Sequence, residues 1–142
     1  MKITIYANNS ENILVGNQEG FIRLREKIAS IYDEEFGKHY RKLKRIYYDI
    51  EGQTVAYLKW FKTAERIIKR NKLENKDVLD FLLKPNKKGK LKVNQVKNLY
   101  ELIKEVNSEI SFRLYYSSEN DFKDFKELLK ECIDRRVYLR WG

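Results

Sequence analysis

Residues 108–142, SEISFRLYYSSENDFKDFKELLKECIDRRVYLRWG, decide the fold of this chain. In the first part of this stretch, apolar and polar residues alternate, which is typical of a strand with one buried face. The alternating apolar residues are Ile110, Phe112, Leu114 and Tyr116. Ser117 and Ser118 then end the pattern, so we expect a strand over about 109–116.

The second part of the stretch predicts a helix followed by a last strand. Apolar residues recur at spacings of three and four, which places one apolar stripe against a core. They are Phe122, Phe125, Leu128, Leu129, Cys132 and Ile133. Ser118 suits the first free N–H groups of this helix. Val137, Leu139 and Trp141 alternate again, and we expect the two strands of this unit to lie parallel, side by side or one strand apart.

The start of the chain predicts a hairpin and a helix. Residues 2–6 alternate and indicate a first strand, and Ile13–Val15 is a short apolar run that suits its hairpin partner. Asn17 is a suitable N-cap. Apolar residues at spacings of three and four then predict an amphipathic helix from about 18 to 33.

The middle of the chain is mainly helical by pattern. Helical periodicity continues over about 38–50, and a third helix from Thr54 carries apolar residues as far as Ile68. Residues 54–61 also alternate, so the alternative is a hairpin of two strands over 45–50 and 54–61.

Two further helices complete the predicted elements. A short helix around Val78–Leu83 must end near Lys84, because Pro85 follows. Residues 86–90 predict a basic loop, and a helix from Val93 leads towards the strand at 109. The sequence thus predicts one α+β domain over 1–142, with a small mixed sheet of about four strands and most helices inserted between the second and third strands.

Composition excludes several classes of protein. The chain has 142 residues, of which 42% are hydrophobic and 36% charged, so it can build a core and is not intrinsically disordered. The N-terminus lacks the apolar run of a signal peptide, and no stretch reaches the roughly 20 apolar residues that span a bilayer. We therefore expect a cytoplasmic protein, bacterial or phage by its richness in Lys, Ile, Asn and Tyr, that makes no membrane contact.

Residues for metal or nucleophilic chemistry are few. One His and one Cys cannot supply a zinc site, and no cofactor motif is present. Cys132 lies on an apolar stripe, which favours a small buried residue over a reactive thiol. Residues 33–35 are acidic, and we interpret them as a solvated helix end, with a magnesium site as the alternative. His39 lies in a basic stretch, which favours a surface residue or a phosphate contact over a general base.

Two acid-free basic runs, over 38–45 and 84–97, suit phosphate groups or an acidic protein partner. The net charge of +9 agrees with either partner. The predicted binding residues are Lys38, Arg41, Lys42, Lys44, Arg45, Lys87, Lys88 and Lys90. Tyr40, Tyr47, Tyr48, Trp60 and Tyr115 would stack on bases if exposed, although Tyr40 and Tyr47 fall on an apolar stripe.

Residues 13–24, ILVGNQEGFIRL, resemble the Gly-Asn-x-Glu-Gly-apolar-x-x-Leu segment of a family of small bacterial immunity proteins of polymorphic toxin systems. The resemblance covers about a tenth of the chain. It implies a non-catalytic inhibitor that binds and occludes a partner protein. Because inhibitors of nucleases are usually acidic, a chain of net charge +9 suits an acidic or non-nuclease target.

The first hypothesis from the sequence is therefore a non-catalytic interaction protein of the immunity or inhibitor type, without cofactor or metal. The alternative is a nucleic-acid-binding protein that uses the runs 38–45 and 84–97. A third hypothesis is a small nuclease toxin that uses basic and Tyr side chains with His39. The sequence does not predict the oligomeric state.

Overall fold

The computed structural model describes residues 2–46, 55–84, 88–107 and 121–142. Strands and helices are numbered in chain order. The strands are β1 (Lys2–Ala7), β2 (Ile13–Asn17), β3 (Gly89–Leu91) and β4 (Leu139–Trp141). The helices are α1 (Gln18–Tyr32), α2 (Glu34–Arg41), α3 (Leu43–Ile46), α4 (Val55–Arg70), α5 (Lys76–Leu83), α6 (Val93–Ile103) and α7 (Asp121–Arg135).

The described strands form one sheet in the order β2-β1-β4-β3, and each neighbouring pair is antiparallel. β1 and β2 form a hairpin in which Ile5 lies opposite Leu14. Asn9 in the connecting turn has φ 61°, a left-handed conformation that Asn tolerates better than most residues. β4, from the end of the chain, pairs with β1, so the two ends of the chain meet in the middle of the sheet.

One face of the sheet packs on the helices. Side chains alternate between the two faces of a strand, and the inward set from the central strands is buried. It comprises Ile3, Ile5, Ala7, Leu139 and Trp141. α1 contacts β1 and β2, and its Phe21 ring lies 5.8 Å from the Trp141 ring. The buried residues of the sheet and of the helices belong to one hydrophobic cluster.

Arg25 lies inside this cluster with 1% of its surface exposed. Its guanidinium carbon is 4.2 Å from the centre of the Phe21 ring, 5.2 Å from that of Phe81 and 5.4 Å from that of Trp141. Its Nη1 donates a hydrogen bond of 2.8 Å to the carbonyl oxygen of Lys84, at the end of α5. Cation–π contacts and this hydrogen bond thus offset part of the free-energy cost of burying the charge, and they join α1, α5 and β4.

The sequence patterns are confirmed for most of the described elements. The fold is α+β with four described strands. The third of them, Gly89–Leu91, is not the strand expected over 109–116, and α1–α5 lie between β2 and this unpredicted strand. The hairpin, the helix from 18, the last strand and the helices before Lys84 and after Lys92 lie where the patterns placed them. Residues 55–70 form one helix, so the alternative hairpin that used 54–61 is wrong.

Two predictions are corrected. The helix expected over 38–50 begins at Glu34, because the side chain of Asp33 accepts a hydrogen bond from the Phe36 N–H at 2.9 Å. A turn at Lys42, which donates its N–H to the carbonyl of His39, separates α2 from α3. The basic loop expected over 86–90 ends earlier, because Gly89 begins β3 and Leu91 pairs with Leu139 in the core.

Some predictions lie outside the described residues. These are the strand over 109–116, the cap at Ser118 and the parallel pairing that would involve that strand. Across the ranges that the structure describes, the helices are too short or too polar to cross a membrane.

Gly89 is a close contact between β3 and the core. A Cβ atom on Gly89 would lie 2.1 Å from Cζ2 of Trp141, which is buried and faces Gly89 in the β3–β4 pair. We therefore expect Gly89→Ala to lower the free energy of unfolding by about 1–3 kcal/mol, the usual cost of overpacking a core. Urea denaturation followed by circular dichroism measures this loss.

Lys90→Ala is the control, because Lys90 is exposed on the same strand. The control variant should unfold within about 0.5 kcal/mol of the wild type. Equal stability of the Gly89→Ala variant and the wild type would contradict the close packing of Gly89 on Trp141.

Candidate functional site

Among the described residues, the candidate functional site lies between α2 and α4, where charged side chains from both helices line one cleft. α2 packs closely on α1, since a Cβ atom on Gly37 would lie 2.6 Å from the Cα atom of Ser30. On its other side α2 contacts α4. The two helices are antiparallel, because Glu35 at the start of α2 pairs with Arg70 at the end of α4.

His39 and Trp60 join the two helices reciprocally. His39 Nε2 lies 2.8 Å from the carbonyl oxygen of Trp60, and Trp60 Nε1 donates a hydrogen bond of 2.9 Å to the carbonyl oxygen of His39. The two rings stack, with centres 5.0 Å apart and planes inclined by 9°. His39 is only 6% exposed, so the predicted surface position of this residue is wrong.

The environment of His39 disfavours its charged form. Burial lowers the pKa of the imidazole, and the nearby charge of Lys42 lowers it further. The hydrogen bond to the Trp60 carbonyl and the carboxylate of Glu35 act in the opposite direction. Because Nε2 is engaged by a backbone carbonyl, we assign His39 to the helix contact and not to proton transfer.

A cleft of about 280 Å³, named the α2–α4 cleft, lies above this contact between the two helices. Its lining residues are Glu35, Lys38, His39 and Lys42 from α2 and its C-cap, and Thr63, Arg66, Ile67 and Arg70 from α4. Both helices thus contribute cationic side chains to the same concave surface. The cleft therefore carries a net positive charge.

The cations of the cleft differ in their partners. Arg70 forms an ion pair with Glu35, and this hydrogen bond together with one from Asn71 lowers the pKa of Glu35. Lys38 Nζ lies 3.4 Å from Glu34, where both side chains are largely exposed and the pair contributes little. Within the described part of the chain, Lys42 and Arg66 have no carboxylate at ion-pair distance.

α4 extends this positive charge beyond the cleft. Its exposed cations recur at helical spacing along the side of the helix that borders the cleft, outside the buried positions Trp60, Ala64 and Ile67. They are Lys59, Lys62, Arg66, Lys69 and Arg70. These five residues, together with Lys38 and Lys42, form the α2–α4 basic surface.

Only some cations of the first predicted basic run, 38–45, belong to the α2–α4 basic surface. Lys38 and Lys42 line the cleft. Arg41 and Lys44 instead pair with the two oxygens of Glu26 on α1, so a helix that packs on α2 neutralises part of the run. Arg45 is exposed on α3.

The second predicted run, 84–97, lies elsewhere. Lys87 falls outside the described residues, and Lys88 is exposed but does not line the cleft. Lys90 lies opposite Arg140 and projects from the outward face of the sheet, where its ammonium is 5.5 Å from the centre of the Tyr138 ring. α1 packs on the inward face of that sheet and α2 packs on α1, so Lys90 lies on a different side of the molecule from the α2–α4 cleft.

None of the aromatic residues predicted to stack on bases is exposed in the described part of the chain. Tyr40 and Trp60 are buried in the helical core, and the hydroxyl of Tyr40 donates to the carbonyl of Leu82 at 2.8 Å. Tyr47, Tyr48 and Tyr115 lie outside the described residues.

The other chemical candidates have structural roles. Asp33 caps α2 and Glu35 pairs with Arg70, and no group of potential ligands for a metal ion occurs among the residues that the structure describes. Cys132 is buried, and burial raises the pKa of its thiol to about 12. Such a thiol stays protonated at neutral pH, as expected for a small buried residue.

Sequence reasoning missed the cations of α4. A search for acid-free runs passes over them, because Glu65 and apolar residues separate them in the chain. The signal that identifies them is helical periodicity, which brings residues three, four and seven positions apart to one side.

No protein-family model, no curated protein and no solved structure matches this chain.

The His39–Trp60 contact predicts a pH dependence of stability. Because folding lowers the pKa of His39, the unfolded chain binds more protons around and below the ordinary value of about 6.5. The free energy of unfolding should therefore fall as the pH decreases from about 7 towards 5. Urea denaturation at a series of pH values measures this slope.

His39→Gln is the informative variant, because its amide can donate to the Trp60 carbonyl without titrating. His39 is the only histidine, so the slope between about pH 7 and 5 should flatten in this variant. An unchanged slope would show that other groups cause it.

Proposed function

We propose that this protein binds nucleic acid through the α2–α4 basic surface, by contacts to phosphate groups that do not depend on base sequence. The observation that carries the proposal is the row of exposed cations along α4, extended by Lys38 and Lys42 across the cleft. Clustered Lys and Arg along one side of a helix are typical of proteins that follow a phosphate backbone.

The dimensions of the row suit a chain of phosphates. From Lys59 to Arg70 a helix rises by about 16 Å, at 1.5 Å per residue. That length corresponds to roughly five phosphate spacings of one DNA strand along its axis. A single small anion would occupy only a fraction of this surface.

The composition of the surface also favours a polyanion over a folded protein. Protein interfaces usually have an apolar, aromatic centre surrounded by a polar rim. The middle and the end of α4 present cations instead, and the aromatic Trp60 is turned into the core. Glu65 is the one acidic residue of α4, so little on this helix repels phosphate.

A charge-reversal experiment locates the contact. We expect Lys62→Glu/Lys69→Glu to weaken binding to a fluorescein-labelled 20-nucleotide strand by at least about tenfold. The dependence of log K on log salt should become shallower by about two, one for each lost phosphate contact. Fluorescence anisotropy at several salt concentrations measures both quantities.

Lys88→Glu/Lys90→Glu is the matched control, because it changes the net charge equally on a different side of the molecule. It should retain most of the affinity. If this control weakens binding as much as Lys62→Glu/Lys69→Glu does, the interface is not on α4. If the wild type fails to bind at physiological salt, the proposal is wrong.

A second candidate function is the immunity-type inhibitor that the resemblance of residues 13–24 implies. Its support in the structure is an exposed apolar pair at the start of α4, Val55 and Leu58, which are 68% and 52% exposed. Exposed apolar residues beside a basic surface suit an acidic protein partner.

This candidate predicts a complex with one acidic protein that persists at physiological salt. Val55→Ser/Leu58→Ser should weaken that complex by about 2–4 kcal/mol, because full burial of each side chain contributes about 1.5–3 kcal/mol and more than half of each is exposed. The two substitutions should leave oligonucleotide binding unchanged. Affinity purification from the native cell extract followed by calorimetry tests it. If the two substitutions weaken oligonucleotide binding as much as they weaken the protein complex, Val55 and Leu58 do not form a separate protein-binding site.

A further inference from the structure

The α2–α4 cleft is a distinct part of the basic surface because of its size and its charges. At about 280 Å³ it is slightly smaller than the usual range of small-molecule pockets, so it suits a small group and not an extended segment. Lys38 and Lys42 approach it from the α2 side, and Arg66 approaches it from α4.

The charges are arranged unequally along the cleft. At the N-terminal end of α2, Glu35 and Arg70 line the cleft and neutralise each other as an ion pair. Lys42, the C-cap of α2, lies towards the other end. An anion is therefore attracted towards Lys42 and Arg66, the two cations that have no carboxylate partner among the described residues, and repelled by Glu35.

We propose that the α2–α4 cleft binds a terminal phosphate monoester of a nucleic-acid strand between Lys42 and Arg66. This inference rests on the proposed function, because it assigns the strand end to the same surface that holds the backbone. The cations outside the cleft, such as Lys62 and Lys69, then contact the phosphodiesters that follow.

Two physical reasons favour a terminal over an internal phosphate. A monoester carries up to two negative charges, whereas each internal diester carries one, so it gains more from two unpaired cations. A concave site bounded by two packed helices also admits the end of a strand more readily than its middle, where the chain must enter and leave.

The floor of the cleft suits this ligand. The ring of His39 is stacked on that of Trp60 and Ile67 is buried, so these two lining side chains are held in place. Glu35 is the one carboxylate among the lining residues, and it is paired with Arg70. Thr63 donates its hydroxyl to the carbonyl of Lys59, which fixes that side chain on α4. The groups free to adjust to a phosphate are the long side chains at the rim.

His39 is a built-in reporter for this site. It is the only histidine, so its imidazole gives one resolved set of NMR signals in the folded protein. Phosphate bound in the cleft should shift these signals and raise the pKa of the ring, since a nearby anion favours the imidazolium form. Glu35, Lys38, Lys42, Arg66 and Arg70 are the charged residues that share the cleft with it.

The experiment compares one oligonucleotide of ten nucleotides with a 5′-phosphate, a 3′-phosphate or hydroxyls at both ends. We expect one phosphorylated form to bind about tenfold more tightly than the hydroxyl form and to shift the His39 signals, which the hydroxyl form should not do. Lys42→Gln and Arg66→Gln should each remove this preference. Arg66→Lys should restore part of it.

Lys62→Gln and Lys69→Gln are the matched controls outside the cleft. They should weaken all three oligonucleotides equally and keep the preference for the phosphorylated end. A nucleoside monophosphate that binds as tightly as the phosphorylated strand would overturn the assignment to a strand end and identify a mononucleotide site.

The outcomes separate this inference from the proposed function. Equal affinities for all three oligonucleotides, with unshifted His39 signals and a dependence on Lys62 and Lys69, would overturn the terminal-phosphate site and keep the nucleic-acid interface. Absence of binding by all three at physiological salt would overturn both.

Discussion

The buried charge of Arg25 is the constraint on which the fold depends most directly. A guanidinium with 1% exposure is stable only if the protein replaces its hydration. Part of the replacement comes from the rings of Phe21, Phe81 and Trp141 and from the carbonyl of Lys84, which belong to separate parts of the chain. Those parts must be assembled before the charge is compensated, so Arg25 favours a single arrangement of α1, α5 and β4.

The second constraint concerns the basic surface. Like charges on α2 and α4 repel one another, and this repulsion opposes the packing of the two helices. The reciprocal His39–Trp60 hydrogen bonds and the buried packing of Tyr40 on Trp60 oppose that repulsion, and the exposed Glu35–Arg70 pair adds little. The helices are therefore held together while Lys42 stays available at the cleft. A surface whose cations are brought together at a cost in stability gains free energy when an anion binds to it.

Much of the fold was predictable from periodicity, and the errors have local causes. Residues 55–70 are helical because their apolar positions match a helix over its whole length, whereas the alternation over 54–61 covers too few residues to compete. The boundary at Asp33 was missed because the acidic residues 33–35 indicate a solvated helix end by sequence, whereas the side chain of Asp33 caps the next helix. The strand at Gly89–Leu91 was missed because its partner is β4, which is distant in sequence. The α2–α4 cleft could not be predicted from runs of basic residues along the chain, because its lining residues come from two helices.

The sequence by itself determined the class of the protein: an α+β chain with a net charge of +9, a hairpin at its start and a strand at its end. The spacing of apolar residues carries that information, because each helix or strand places residues on its buried face with its own period. Only the tertiary structure decided which cations act together. Glu26 neutralises Arg41 and Lys44 from the preceding helix, whereas Arg66 joins Lys42 across the cleft. Charge interactions depend on distance in space, and the order of residues along the chain does not specify that distance.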